Sequence, residues 1–347
     1  MLRVPPGSDP PSGDRHFTWR DGERTIVFRK DALAKAPEIL AGGIWERFEL
    51  LTTPRALGDA PLELPERATV VHEVPAGVVP EAAASIIDSV RNPTLVALGG
   101  GRVIDTAKAI AAVRGGRVCA IPTTLSGAEM TSIHRLPVGR EHEAPHRVRP
   151  ALVIADPREM TSLDEERLRA SAMNSLGHGA ESLYTPLANP VGSLAASRGA
   201  ELLATGLDSP PQTRDRACLA LGSLLCAYAL DSAGYALHHV VCQTLVWKLG
   251  TPHAETNAAM LPFTMEAMRS RAPEAIDALA GAIRGAPAAI GERIRELAGG
   301  RRRLRDLGAS RGRLESVAAA VGARAELANT PDPPAPEEVR ALLEAAW

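Results

Sequence analysis

The chain has 347 residues, 45% of them hydrophobic, and 39 Lys and Arg against 41 Asp and Glu give a net charge of −2. That is enough apolar material for more than one core, and with no basic cluster interleaved with aromatics it argues against a nucleic-acid partner. Four cysteines (Cys119, Cys218, Cys226, Cys242) in apolar, non-repeating contexts read as reduced thiols of a cytoplasmic protein, and no run of about 18 uninterrupted apolar residues offers a membrane span.

Residues 1–16, "MLRVPPGSDPPSGDRH", are rich in Pro and Gly without a signal-peptide core, and a disordered tail is expected there. From Phe17 to Asp156, apolar or β-branched runs ("TIVF", "FELLT", "ATVVH", "TLVALGGG", "VCAIPTT", "ALVIADP") alternate with helical stretches. Such alternation predicts an α/β domain over residues 17–156 with a mainly parallel sheet. After Pro157 the strand-like runs give way to Ala/Leu/Arg/Glu segments broken by prolines, which predicts an all-helical domain over 157–347. The Arg-rich run "GGRRRLRDLGASRGR" fits a solvated helix face, and "ANTPDPPAPEEVRALLEAAW" reads as a connector into a closing helix that begins near Pro336.

In "TLVALGGGRVIDTAKAIAA" (residues 94–112) a strand runs into Gly99, Gly100 and Gly101 and then into a helix. Glycines at this turn let backbone approach a ligand, and the helix N-terminus offers free N–H groups to a phosphate. Arg102 could neutralise phosphate or a substrate carboxylate. Lys108 reads as a site cation or an exposed Lys, with Asp105 beside it a cofactor-side candidate. "CAIPTTLSGAEMTS" (119–132) is a second strand leading into hydroxyl donors at Thr123, Thr124 and Ser126, at a sheet end where ligands bind.

Next comes "MTSLDEERLR", where Ser162 and Glu165 have capping-box spacing. Arg167, Ser171, Asn174, His178 and Glu181 then recur at steps of three or four, a polar stripe facing either a cleft or solvent. Asn174 and His178 have metal-ligand spacing, although a carboxamide binds transition metals poorly. In "GYALHHVVCQTLVWKLGTPHAETNAAMLP" (234–262), His238, His239 and His253 cluster, with His239 one turn before Gln243.

Together these segments resemble the iron-containing alcohol dehydrogenase family, most closely its maleylacetate reductase branch. "IPTTLSGAEMT", "NSLGHGAESLY" with "ANPVGSLAA", and "LHHVVCQTL" with "PHAETN" carry the likeness. The resemblance implies a dinucleotide-binding α/β domain, a helical domain and an active site in the cleft between them. It further implies that the metal-ligand positions, an Asp and three His in metal-dependent members, correspond to Asn174, His178, Gln243 and His253. Two would then be replaced, and no metal is expected. Catalysis would fall to hydrogen-bond donors among His178, His238, His239 and His253, with Asn174 and Gln243 orienting substrate. Thr53, with Arg55 nearby, stands where an acidic residue would select NADH, so NADPH or NADH is expected as cofactor. The expected protein is a homodimeric NAD(P)H oxidoreductase acting on a small, activated acidic carbonyl or enone. The alternatives are a cyclase, isomerase or dehydratase on the same fold, or a nucleotide-binding protein without catalysis.

Overall fold

The seven strands of one sheet are β1 (Phe17–Asp21), β2 (Arg24–Phe28), β3 (Glu49–Thr52), β4 (Val70–Glu73), β5 (Thr94–Gly99), β6 (Arg117–Pro122) and β7 (Leu152–Ala155). The computed structural model describes residues 17–143 and 147–347, so the expected tail at 1–16 lies outside the described residues. Strand order is β1-β2-β7-β6-β5-β3-β4, parallel throughout except for the β1–β2 hairpin. β5 is buried on both faces from Leu95 onward, as a parallel strand covered by helices must be. β1 was not among the expected strands. It exists by pairing with β2 across a two-residue turn at Gly22 and Glu23, where Gly22 has φ +61°.

The sheet is flanked by α1 (Ala36–Ile39), α2 (Pro54–Gly58), α3 (Glu63–Arg67), α4 (Val79–Ile86) and α5 (Gly101–Arg114). Everything described after β7 is helical: α6 (Pro157–Met160), α7 (Glu165–Ser182), α8 (Pro190–Asp208), α9 (Arg216–Ala233), α10 (Leu237–Leu249), α11 (His253–Met268), α12 (Pro273–Ala282), α13 (Ile290–Leu297), α14 (Leu314–Gly322) and α15 (Pro336–Ala346), with short 3-10 turns between. The Arg-rich run is a correction: residues 299–313 hold only two such turns, because Gly299, Gly300 and Gly308 take φ +80°, +128° and +85° and interrupt a helix. Nor does Ser162 cap α7. Asp164 does, its side chain accepting from the Arg167 N–H.

Two apolar clusters cover the faces of the sheet, and a third fills the helical half. The third also contains Ile26 and Phe28 of β2 and Val153 and Ala155 of β7, so the helices pack directly onto that side of the sheet. α9 has the length and apolarity of a membrane span, yet most of it is buried inside this core. All four cysteines are buried, and no disulfide is present among the described residues.

Candidate active site between the sheet and the helices

The chain leaves β3 outward to β4 and then returns to β5 on the other side of β3, so strand order reverses between β3 and β5. In open α/β sheets the crevice beyond the strand C-termini at such a reversal is where nucleotides sit. Gly99–Gly101 and Thr53 occupy the ends of these two strands. Gly99 has φ +157°, and a Cβ there would lie 2.7 Å from Val103 Cγ2. A Cβ at Gly100 would meet Thr124 Cγ2 at 3.0 Å, and one at Gly101 would meet Ser126 Cβ at 2.9 Å, so the glycine turn lies flat on the hydroxyl loop after β6. α5 starts without a side-chain cap, leaving its first N–H groups for an anion, and Arg102 is exposed beside them.

The hydroxyl loop in turn is clamped by α7. The Leu125 N–H donates to Ser171 Oγ (3.1 Å), Ser175 Oγ donates to the Leu125 carbonyl, and Asn174 Nδ2 donates to the Ser126 carbonyl (3.2 Å). Gly127, at φ +76°, lies so close that a Cβ would meet Ala227 Cβ at 2.6 Å and the His178 ring at 3.1 Å. From glycine turn to histidines the site is therefore continuous, and the α7 stripe faces this cleft: Ser171, Asn174, His178 and Glu181 are all buried, only Arg167 being exposed.

His178 stacks on His239 of α10, centroids 4.8 Å apart and planes at 22°. Their approach needs Gly177, where a Cβ would fall 2.8 Å from the His238 ring and 3.4 Å from His239 Cε1. Glu181 organises this corner: Oε2 pairs with His239 Nδ1 at 2.5 Å, and Oε1 accepts from the His238 N–H at 2.7 Å. Such a carboxylate fixes the ring and leaves Nε2 facing the cleft. His238 turns away, its Nδ1 3.0 Å from Thr264 Oγ1, edge-on to His239. Burial holds His178 and His238 well below the usual imidazole range, and burial with the nearby His239 lowers His253 to about 4. These three rings are neutral at pH 7.

Asn174 Oδ1, His178 Nδ1 and His239 Nε2 are buried without a hydrogen-bond partner among the described residues. Buried polar atoms are rarely left so, and three in one cleft mark where a polar guest would sit.

Two expectations need correction, those for Lys108 and Gln243. Lys108 is neither a site cation nor exposed: it is fully buried, and Nζ donates to Asp105 Oδ1, the carbonyls of Ala128 and Ile133, and Thr131 Oγ1. It ties α5 to the chain beyond the hydroxyl loop, and Asp105 is its partner. Thr53 caps α2, accepting from the Ala56 N–H, and Arg55 donates to Ser162 Oγ at 3.2 Å. Gln243 is not a vacated corner of the histidine cluster. Its Oε1 accepts from Arg324 Nη2 (3.0 Å), and the ring beside His178, close enough to act on His253, is that of His239. The roles of Glu181, Gly177, Tyr235 and Arg324 were not anticipated.

A tightly held iron does not fit these residues. Among the described residues no three His, Cys, Asp or Glu side chains converge to hold a metal ion. The group at 174 is a neutral carboxamide, and the nearby carboxylate, Glu181, is engaged by His239.

Residues 24–157 match the family model described as iron-containing alcohol dehydrogenase, and residues 169–347 match the C-terminal model of the same family. Maleylacetate reductase 1 of Rhodococcus opacus is 38% identical over 213 residues, 59% of this chain and 60% of that protein, so the match spans under two thirds of that relative. The maleylacetate reductase of Pseudomonas knackmussii is 32% identical over 270 residues, covering 73% of this chain and 76% of the relative. The crystal structure of maleylacetate reductase from Rhizobium sp. strain MTP-10005 superposes with a TM-score of 0.81 at 27% identity, over 96% of this chain and 98% of that one. In motifs, in length matched and in its pairing of a parallel sheet with a helical half, the chain belongs to the iron-containing alcohol dehydrogenase family of oxidoreductases.

Proposed function

We propose that the chain is an NAD(P)H-dependent reductase of a small activated carbonyl or enone acid, of the maleylacetate reductase kind, and that it works without a metal. The observation that carries this reading is the trio of unpartnered buried atoms on Asn174, His178 and His239, next to the glycine turn and hydroxyl loop. The dinucleotide would lie across Gly99–Gly101, Thr123, Thr124 and Ser126, with its pyrophosphate at the start of α5. Arg55, exposed just past the β3 end, is placed to accept a 2′-phosphate, which favours NADPH or gives little discrimination.

The reduced nicotinamide would supply a hydride to the electrophilic carbon, and the developing oxyanion would take a proton from the protein. A metal would supply several kcal/mol of charge stabilisation here. In its place, a buried and well-aimed donor contributes about 3 kcal/mol. His239 is that donor: with Nδ1 held by Glu181, its Nε2 faces the oxyanion and delivers the proton to it. His178 and Asn174 orient the substrate, and conjugation in the acceptor spreads the arriving charge and lowers the demand on the donor.

The test is a titration with NADPH read by nicotinamide fluorescence, followed by turnover of conjugated keto acids with and without chelator. Binding of NADPH and activity that survives chelation are expected. His239→Ala should lower turnover about 10² to 10⁴-fold with cofactor affinity unchanged. Near one metal per chain, or activity lost in chelator and restored by Zn²⁺ or Fe²⁺, overturns the metal-free reading.

A further inference from the structure

We propose that Arg324 receives the remote carboxylate of the substrate and so sets the preference for acids, an inference that rests on the reductase reading. Arg324 lies just beyond α14 and reaches Gln243 of α10. One edge of its guanidinium is fixed: Nε donates to Glu326 Oε2 (3.0 Å), and Nη2 faces Glu326 Oε1 (3.0 Å), Gln243 Oε1 (3.0 Å) and the Tyr235 hydroxyl (3.2 Å). The Tyr235 hydroxyl also donates to Glu326 Oε1 (2.9 Å). Among the described residues no hydrogen bond or ion pair involves Nη1, and 22% of the side chain is open to solvent.

Place and orientation suit a carboxylate. The Tyr235 ring lies 6.2 Å from the His239 ring, and Gln243 follows His239 by one helical turn, so the fixed guanidinium sits next to the proposed proton donor. A guanidinium stays charged, and holding one edge in advance leaves the other to bind an anion with little loss of freedom. Glu326, drawn down to about 2 chiefly by its hydrogen bond from Arg324, balances the charge at the fixed edge only. Arg147 near Tyr235 and Arg135 near His253 add positive charge around the same site. Gln243 contributes an acceptor to this arrangement; a protonated His in its place would repel Arg324.

The test compares a conjugated keto diacid with the ester that masks only its remote carboxylate. Wild type should prefer the diacid, and Arg324→Ala should lower kcat/KM for the diacid about 10 to 10²-fold, mainly through KM, the size expected for a charged hydrogen bond. The ester should change less than about 3-fold, and NADPH affinity should not change. Equal losses for diacid and ester would make Arg324 a brace only and overturn the proposal. Should the alanine variant not fold, Arg324→Gln carries the same comparison: a loss confined to the diacid supports the proposal, and an equal loss on both compounds, or no change in the preference, overturns it. If wild type reduces neither compound, the reductase reading fails by itself. Calorimetric titration of diacid and ester then decides on Arg324: a preference for the diacid that Arg324→Ala abolishes supports the assignment, and a preference unchanged in the variant overturns it.

Discussion

Glu129 shows at the scale of one residue how burial governs ionisation in this chain. It is fully buried in the segment after the hydroxyl loop, and among the described residues no other residue gives either carboxylate oxygen a hydrogen bond. Burial raises it from the ordinary 4.5 to about 7, with Asp105 also raising it and Lys108 and Arg24 acting the other way. The folded protein therefore binds this proton more tightly than the unfolded chain does. The associated stability is present below pH about 4.5 and is lost as pH rises toward about 7, after which the difference is constant. A shift of this size corresponds to about 3 kcal/mol. Glu129→Gln keeps the shape and removes the ionisation, so it should stabilise the protein by about 1–3 kcal/mol at pH 8 and change little at pH 4. Denaturant midpoints at pH 4, 6 and 8 check this, and an equal effect at all three would mean that Glu129 is not protonated in the fold.

Among elements, contact between α7 and α10 depends on a missing side chain. Gly177→Ala would put a methyl carbon 2.8 Å from the His238 ring, forcing α10 away from α7 and separating His239 from His178. The expected loss is about 1–3 kcal/mol of stability, together with most of the turnover. Gly58→Ala, where nothing lies within 4 Å of the added carbon, serves as the control. If Gly177→Ala retained full activity, the ring arrangement would not matter to the chemistry. The parallel strands and the polar face of α7 were legible because each is a local pattern: runs such as "LVAL" and a stripe repeating every three or four residues. What was not legible depends on distant partners. Glu181 meets its histidine partner 58 positions along the chain, and Arg324 meets Gln243 81 positions away. Helical spacing put both His239 and Gln243 on one face, but only packing on α7 decides which of them meets His178. β1 alternates apolar and polar residues over only four positions, Phe17 to Arg20, although the Asp21-Gly22 pair was a readable turn signal for its hairpin.

Across the whole molecule, the two halves share one core. Ile26 and Phe28 from β2 and Val153 and Ala155 from β7 belong to the same buried cluster as the helices from α7 to α15. The sheet thus closes the helical core, and the histidines of α7 and α10 keep a fixed relation to the glycine turn of β5 through the loop clamped by Ser171, Asn174 and Ser175. An interface of this kind does not allow one half to unfold while the other stays intact. Phe28, fully buried, tests this because it stands in the sheet yet packs in the helical core. Phe28→Ala should destabilise by about 3–5 kcal/mol, and the loss should be felt equally in both halves. Far-ultraviolet circular dichroism reports chiefly on the helices, whereas fluorescence of Trp45, followed after replacing Trp19, Trp247 and Trp347 by Phe, reports on the sheet half. In wild type and in Phe28→Ala the two signals should trace one superimposable transition, displaced to lower denaturant in the variant. Two separate transitions, with only the fluorescence one displaced, would show that the halves are independent and that the cleft is free to open without unfolding.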